Sequence, residues 1–92
     1  MITIFGQHGL TDFQTWKSAF DAVPKEHYVK FNIVGTGIYR MAGDSGVIIT
    51  HTFNTLEDAQ KHRAMMESDE FSVMLEKMGG KTPVTYWIAE EV

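Results

Sequence analysis

The sequence predicts an α+β domain whose elements follow in the order strand, helix, strand, strand, helix, strand. Three observations carry this prediction: two stretches of helical periodicity, turn residues between the other segments, and strands that are apolar on both faces. Val47-Ile48-Ile49 opens one such strand, and residues 84–89, Val-Thr-Tyr-Trp-Ile-Ala, form another. An antiparallel strand with one face in water would alternate apolar and polar residues. Two helical arms cover only one face of a small sheet, so we expect a second copy of the chain to cover the other.

The first strand and the first helix come from the N-terminal quarter of the chain. Residues Ile2 to His8 alternate as a strand does. Thr11 and Gln14 follow at the spacing of a capping box, in which both side chains satisfy free backbone N–H groups. Apolar residues then recur at helical spacing: Phe13, Trp16, Phe20 and Val23. Pro24 disfavours helical geometry at the preceding residue, which predicts that the helix ends at Val23.

A connector and a hairpin come next. Proline suits the first position of a helix, so the connector from Pro24 to Asn32 could begin a short helical turn. A second strand is predicted from Val34 to Met41 and a third from Val47 to Phe53. Residues 42–46 between them, Ala-Gly-Asp-Ser-Gly, have the composition of a hairpin turn.

The second helical arm is predicted as two segments. Asn54 or Thr55 caps the first segment, and Ser68 caps the second. Residues at helical spacing mark one face of each segment: Leu56, Ala59, Arg63 and Met66, then Phe71, Met74, Leu75 and Met78. Gly79-Gly80 ends the arm, and the fourth strand is predicted from Thr82 to Glu90.

This order of elements predicts the ferredoxin-like βαββαβ unit. With right-handed crossovers it forms a four-stranded antiparallel sheet that carries both helices on one face. Our interpretation also takes the first and third strands to be parallel neighbours at the centre of the sheet.

Composition limits the class of protein. The 92 residues form a single domain, residues 1–92, with 43% hydrophobic and 12% aromatic residues. No apolar run reaches the roughly 18 residues of a membrane span, and the N-terminus lacks the pattern of a secretory signal. The absence of cysteine excludes disulfides and thiolate metal sites, which fits the cytoplasm. A net charge of −4 without a basic stripe argues against nucleic-acid binding.

Several segments together carry a resemblance to a known family: Trp16 and Phe20, residues 37–40, residues 47–59, residues 68–71 and Gly79-Gly80. In this pattern, which covers nearly the whole chain, the sequence resembles the dimeric α/β-barrel superfamily. That superfamily includes antibiotic-biosynthesis monooxygenase-like proteins and stress-responsive barrel proteins. The resemblance implies that two sheets pack face to face into a barrel across a two-fold axis. It also implies a pocket between sheet and helices in each subunit, but no single activity.

Two strand histidines are candidates for proton transfer. His8 closes the first strand and His51 lies late in the third. As parallel neighbours these strands would place both imidazoles toward one end of the sheet, and the register decides whether they share a face. On the helix-covered face they could act as general base and proton shuttle. Alternatively, one is a hydrogen-bonded core histidine and the other lies near water at a strand end.

The connector and the second arm supply further candidates. His27 and Tyr28 lie where a lid over a pocket would run, and Tyr28 could donate a hydrogen bond to an oxyanion. Alternatively, Tyr28 buries its ring and leaves its hydroxyl in water. Of His62 and Arg63, only Arg63 falls on the predicted inner face. It could bind a carboxylate or enolate, or extend along the dimer edge.

Two further residues, Trp16 and Met66, are core residues by their spacing that could also line a pocket. The candidate residues are therefore His8, His51 and Tyr28 for catalysis, and Trp16, His27, Arg63 and Met66 for the substrate pocket. A metal site would need His8, His51 and either His27 or Glu26 to converge, and no ligand spacing supports this. We therefore expect no metal and no cofactor.

Three functional hypotheses follow. The first is a cytoplasmic homodimer acting as a cofactor-independent monooxygenase- or cyclase-like enzyme on a small aromatic or polyketide-like substrate, as the resemblance implies. The second is a non-catalytic ligand-binding or stress-related dimer with the same pocket. The third is a structural protein whose interior is filled by Trp16 and the methionines.

Overall fold

The structure, a computed structural model, describes residues 1–43 and 46–92. Its elements are β1 (Ile2–Leu10), α1 (Phe13–Asp21), α2 (Lys25–Lys30), β2 (Gly35–Arg40), β3 (Gly46–Phe53), α3 (Leu56–Met66), α4 (Asp69–Lys77) and β4 (Gly80–Glu90). The predicted order is confirmed, with α1 and α2 as the first helical arm and α3 and α4 as the second. Two residues of the predicted hairpin turn, Asp44 and Ser45, lie outside the described residues. Within the described ranges no helix is long and apolar enough to cross a membrane.

The four strands form one antiparallel sheet in the order β2-β3-β1-β4. This confirms the ferredoxin-like fold and the central position of β1 and β3. It corrects their relative direction, because β1 and β3 pair antiparallel, with His8 opposite Val47 and Ile4 opposite His51. The first helical arm returns the chain so that β2 runs parallel to β1. The hairpin then reverses the chain, and β3 is inserted between these two strands in the opposite direction.

The first helix begins one residue later than the capping box predicts. The Asp12 carboxylate accepts hydrogen bonds from the Thr15 backbone N–H at 2.8 Å and from its hydroxyl at 2.6 Å. Thr11 instead donates its hydroxyl to the Gly79 carbonyl at 2.9 Å, and its backbone N–H to the same oxygen at 2.8 Å. The predicted Thr11–Gln14 capping box is therefore wrong, and Thr11 links the beginning of α1 to the end of α4.

The short helix of the connector and the broken second arm are both confirmed. Pro24 is the N-cap of α2, and α1 ends at Asp21, before the residue that Pro24 disfavours in a helix. Thr55 caps α3 by accepting the Asp58 N–H at 3.1 Å. Ser68 caps α4 by accepting the N–H of residue 71 at 3.2 Å.

The inner face of α3 differs from the prediction. Ala59, His62 and Met66 are buried, whereas Leu56 is 48% exposed. These three buried residues follow the spacing i, i+3, i+7 and so share one side of the helix. In α4 the buried residue is Leu75, while Met74 of the predicted face is largely exposed.

The sheet presents two different faces. Toward the helices it carries two buried clusters, one around Ile4 and Phe53 and the other around Val47. Alternate residues point the other way, and the largest aromatic side chains among them are exposed. We call this surface the open sheet face and define it by five residues: Phe5, Tyr39, Ile48, Thr50 and Trp87. Tyr39 is 60% exposed and Trp87 is 47% exposed in the single chain.

Candidate functional site

A cavity of about 230 Å³ lies between the sheet and the helices. Strands β1, β3 and β4 form its floor, and residues of all four helices form its roof. All four histidines of the chain line it: His8, His27, His51 and His62. In the part of the chain that the structure describes, no Lys, Arg, Asp or Glu lines it. The cavity is therefore an apolar chamber whose polar groups are mainly imidazoles.

Three of these residues form a histidine cluster, which we define as His27, His51 and His62. The ring centroids of His51 and His62 lie 4.9 Å apart, and those of His27 and His62 lie 5.8 Å apart. Tyr28 adjoins the cluster, with its ring 6.2 Å from that of His51 and 5.7 Å from that of His27. The cluster thus combines side chains from α2, β3 and α3 at one end of the cavity.

His62 is the most deeply buried member of the cluster. It is 1% exposed, and neither of its ring nitrogens has a hydrogen-bond partner among the described residues. Its ring packs on Phe31 and Phe53, with centroids 5.2 and 5.6 Å away. Burial, with the neighbouring His51 and His27, lowers the pKa of His62 to about 3, so the imidazole is neutral at pH 7. An unpaired buried polar group of this kind costs about 1–3 kcal/mol, which makes it a place to look for function.

His51 is fixed by the register of the sheet. Thr36 is its partner on β2, and the Thr36 hydroxyl oxygen lies 3.1 Å from Nδ1 of His51. Burial, with the neighbouring His27, lowers the pKa of His51 to about 4. His27, half-buried on α2, also has a lowered pKa because of burial and the nearby Lys30 charge. The whole cluster is therefore uncharged at neutral pH.

His8 stands apart from the cluster. Its Nδ1 lies 2.8 Å from the Gly9 carbonyl, and because a carbonyl only accepts, this bond assigns the ring proton to Nδ1. Nε2 therefore carries a lone pair, and this buried atom has no partner. The ring is 5% exposed and meets the edge of Trp16 at a centroid distance of 5.6 Å. Burial lowers the pKa of His8, and the Gly9 bond partly offsets this.

His8 and His51 both lie on the helix-covered face of the sheet. The sequence alone does not decide between the two faces, because the strand register is needed. They do not lie at the same end of the sheet, and that expectation is wrong because β1 and β3 run antiparallel. His51 is opposite Ile4, four residues before His8 on β1. At the rise of a strand this offset is about 13 Å. The two imidazoles therefore mark opposite ends of one cavity.

Four of the other sequence candidates line the cavity, and one does not. Trp16, Met66 and His27 line the cavity, as does Tyr28. Burial and the Asp21 charge raise the pKa of Tyr28, so its hydroxyl remains protonated and can donate. Arg63 differs from the expectation: it stacks 6.0 Å over the Tyr86 ring and its Nε lies 3.6 Å from a Glu67 carboxylate oxygen, away from the cavity wall.

His62 is the cavity residue that sequence reasoning missed. A signal existed, because His62 is three residues after Ala59 and four before Met66, which places it on one helical face with them. Because histidine counts as a polar residue in the sequence pattern, the predicted inner face of this helix includes Arg63 and omits His62. Tyr86 was also missed; its hydroxyl donates to the Met66 carbonyl at 3.0 Å, and burial raises its pKa to about 12.

Among residues 1–43 and 46–92, no three His, Asp or Glu side chains are grouped so that they could hold a metal ion.

Comparison with known proteins shows similarity in structure. No family model matches the chain, and no curated protein matches it by sequence. A dimeric ferredoxin-like protein from an uncultured marine organism superimposes with a TM-score of 0.70 at 12% identity, covering 100% of this chain and 95% of that one. An antibiotic biosynthesis monooxygenase gives a TM-score of 0.60 at 10% identity, covering 100% and 99%.

A further similar structure is a variant of SnoaB, a cofactor-independent oxygenase from Streptomyces nogalater. It gives a TM-score of 0.61 at 9% identity and covers 98% of this chain and 91% of that one. Identities this low establish the fold and leave activity open. The resemblance inferred from the sequence is confirmed at the level of the fold, which this chain shares with a dimeric ferredoxin-like protein and an antibiotic biosynthesis monooxygenase.

Proposed function

We propose that this protein is a homodimeric, cofactor-independent enzyme that binds a small aromatic or polyketide-like substrate in the cavity of each subunit. A neutral histidine removes a proton from the substrate, and the resulting anion reacts with dioxygen or closes a ring. One observation carries the proposal: Nε2 of His8 is a buried lone pair without a partner, in a residue that lines an apolar cavity.

His8 has the features of a general base. Its Nδ1–H is held by the Gly9 carbonyl at 2.8 Å, which fixes both the tautomer and the orientation of the ring. The lowered pKa keeps the ring neutral at pH 7 and so able to accept a proton. The imidazolium that forms is disfavoured by burial, but the substrate anion beside it offsets this penalty. Tyr28, which stays protonated, supplies a donor for an oxyanion at the other end of the cavity.

The oxygenase branch needs no electron carrier. Dioxygen adds to the substrate carbanion and forms a hydroperoxide on that carbon, after proton transfer from the His8 imidazolium. Loss of water from the hydroperoxide leaves a carbonyl group. One oxygen atom remains in the product and the other leaves as water. The substrate carbon, a CH2 group that becomes the carbonyl, supplies all four electrons that reduce dioxygen. SnoaB, of the same fold, is a cofactor-independent oxygenase, which supports this branch.

The open sheet face supports the dimer. Phe5 and Trp87 are register partners on this face, as are Tyr39 and Ile48, and of these Tyr39 and Trp87 are exposed in the single chain. Among the similar structures are two dimeric ferredoxin-like proteins from uncultured marine organisms. Pairing two open sheet faces would remove these aromatic and aliphatic side chains from water. A cytoplasmic location fits a chain without cysteine.

The dimer is tested by placing a charge on this face. Ile48 belongs to the open sheet face, whereas Ile49 lines the cavity. We expect I48K to give aggregated or unfolded protein, and Q60K on the exposed side of α3 to behave as wild type. Sedimentation measures both. A wild-type chain that sediments as a well-folded monomer at micromolar concentration would contradict the dimer.

The catalytic role is tested by substituting the base. We expect H8Q to lower oxygen uptake with a panel of hydroxylated aromatic compounds by about 100-fold or more, because general-base catalysis typically contributes that much. E57Q, an exposed substitution on α3, is the matched control, and circular dichroism checks that both variants fold. Wild-type rates in H8Q would remove His8 from the mechanism.

A second function remains in view, a non-catalytic ligand-binding dimer. The low pKa values of His51, about 4, and His62, about 3, make both imidazoles weak bases, which favours hydrogen bonding over proton transfer at that end. Ligand binding without any turnover in wild type would favour this function. The third hypothesis, a filled interior, is opposed by the cavity of about 230 Å³.

A further inference from the structure

The cavity is polar at its two ends and apolar in the middle. His8 stands at one end and His62 at the other, and each is at least nine-tenths buried, with 5% and 1% exposure. Each has at least one ring nitrogen without a hydrogen-bond partner among the described residues: Nε2 in His8, and both Nδ1 and Nε2 in His62. No backbone or side-chain group among residues 1–43 and 46–92 satisfies these atoms, so each end offers a hydrogen-bonding site to a ligand.

The two ends are too far apart for one small polar group to reach both. His51 of the cluster is the register partner of Ile4 on β1. His8 lies four residues further along β1, which is a distance of about 13 Å along the strand. A ligand that uses both ends must therefore be long, with a polar group at each extremity.

The middle of the cavity is kept open by a glycine. Gly6 lies between Ile4 and His8 on the same face of β1 and lines the cavity. A Cβ atom there would lie 3.7 Å from the Tyr86 ring, in ordinary van der Waals contact. A small side chain would therefore fit at Gly6, and a larger one would occupy the central space of the cavity.

The volume indicates how many rings fit. An engineered apolar cavity of about 150 Å³ holds one benzene molecule. The cavity of this protein, at about 230 Å³, exceeds that by half and is lined in its middle by aliphatic and aromatic side chains. It therefore has room for a second ring.

Because the histidines at both ends of the cavity are uncharged, they favour ligands with hydroxyl groups over ligands with anionic groups. Burial lowers the pKa of both His8 and His62, so both rings are neutral, and the described residues bring no cation to the cavity wall. A carboxylate or phosphate would lose its hydration without gaining a counter-charge. A phenolic hydroxyl donates to a neutral imidazole nitrogen without that loss.

We propose that the cavity takes a rigid two-ring aromatic compound with a hydroxyl group at each end, one donating to Nε2 of His8 and the other to a ring nitrogen of His62. This inference rests on the proposed function only in taking the same cavity as the ligand site. It adds the length, the ring number and the two-ended polarity of the ligand, and it assigns a binding role to His62.

The test compares three ligands of one shape: para,para′-biphenol, para-phenylphenol and biphenyl. Calorimetric titration of the wild-type protein in the absence of turnover measures their dissociation constants. We expect each hydroxyl to tighten binding by about tenfold, the effect of one net hydrogen bond. Equal dissociation constants for the three compounds would overturn the proposal, and this arm requires no variant to fold.

Two variants assign the ends. H8L and H62L each remove the ring nitrogens at one end while keeping a side chain of similar size. We expect each variant to bind para,para′-biphenol about tenfold more weakly, and to bind biphenyl as wild type does. Loss of affinity for biphenyl as well, in variants that melt cooperatively, would show a general packing effect and overturn the assignment.

A third variant tests the occupied length. G6V fills the middle of the cavity, and we expect it to lose binding of all three two-ring compounds while still binding phenol. Wild-type affinity of G6V for para,para′-biphenol would overturn the proposal. The two proposals fail separately. If each hydroxyl tightens binding but no compound is turned over, only the proposed enzymatic function is contradicted. If single-ring phenols are turned over but the hydroxyls do not tighten binding, only this inference is contradicted.

Discussion

The two ends of the cavity are supported in different ways. His8 belongs to a central strand, hydrogen-bonds its own backbone at Gly9, and packs against Trp16, which is 1% exposed. The histidine cluster joins side chains from three elements, one of which, α2, has six residues, no side-chain cap and no buried residue. A central strand and Trp16 fix the His8 imidazole, whereas at the cluster end the position of His27 depends on how α2 sits over the sheet. His51 on β3 and His62 on α3 do not share that dependence. We expect the His8 end to be held more firmly than the α2 side of the cluster.

Removing Trp16 should damage the rigid end most. We expect W16A to lower the free energy of unfolding by about 3–5 kcal/mol, as large-to-small substitutions of buried aromatic residues do. Urea denaturation measures the loss. Phe31, half-buried at the end of α2, provides the comparison, and F31A should cost clearly less. Equal losses at the two sites would contradict the difference in support.

Acid should destabilise the fold through His51 and His62 of the cluster. The pKa of His51 is about 4 and that of His62 about 3 in the folded state, against 6.5 for an ordinary histidine. Below pH 6.5 the unfolded chain takes up protons that the folded chain does not, so stability falls as pH falls. At pH 5 each of these residues should cost about 2 kcal/mol relative to pH 7.

Urea midpoints at pH 7 and pH 5 measure this loss, and H62L isolates the contribution of His62. Because His62 is missing in that variant, its stability should fall less between the two pH values than that of wild type. The same fall in both proteins would show that other groups cause it.

At pH 7, H62L itself should be more stable than wild type. The substitution removes two buried ring nitrogens that have no partner, and we expect a gain of about 1–3 kcal/mol. We expect H8L to gain less stability than H62L, because H8L also removes the hydrogen bond between His8 and the Gly9 carbonyl. A stabilised H62L that binds para,para′-biphenol less well would show that the unpaired nitrogens are kept for a ligand.

The smallest effect is expected where α2 meets α3. The Asn32 side chain donates to an Asp58 carboxylate oxygen at 3.2 Å, and Asn32 has a positive φ of 56°. N32G removes the bond but keeps a residue suited to that backbone conformation. We expect a loss of about 0.5 kcal/mol. Hydrogen exchange should speed up in α2 but not in β1; faster exchange in both would contradict independent support of the two ends.

The sequence predicted the architecture better than the site. Helical spacing, caps at Thr55 and Ser68, and turn composition are local signals, and they placed the elements correctly. The direction of β3 depends on the path of the chain over the sheet, and our interpretation assigned it wrongly. Because the direction of β3 is wrong in the prediction, the expectation that His8 and His51 lie at the same end of the sheet is wrong as well.

The candidate residues show the same limit. Trp16 and Met66 line the cavity because apolar residues at helical spacing face the core. His62 shares that spacing, but its burial depends on contacts with Phe31 and Phe53, which both lie outside α3. Residue type alone favoured Arg63, whose pairing with Glu67 holds it outside.

The two bonds from Thr11 to the Gly79 carbonyl join the beginning of α1 to the end of α4. They lie near His8, because a Cβ atom on the neighbouring Gly80 would come 3.3 Å from the His8 ring. One residue therefore fastens the two helical arms to each other across 68 positions of the sequence. Loosening of either arm at this point would be resisted by the other arm.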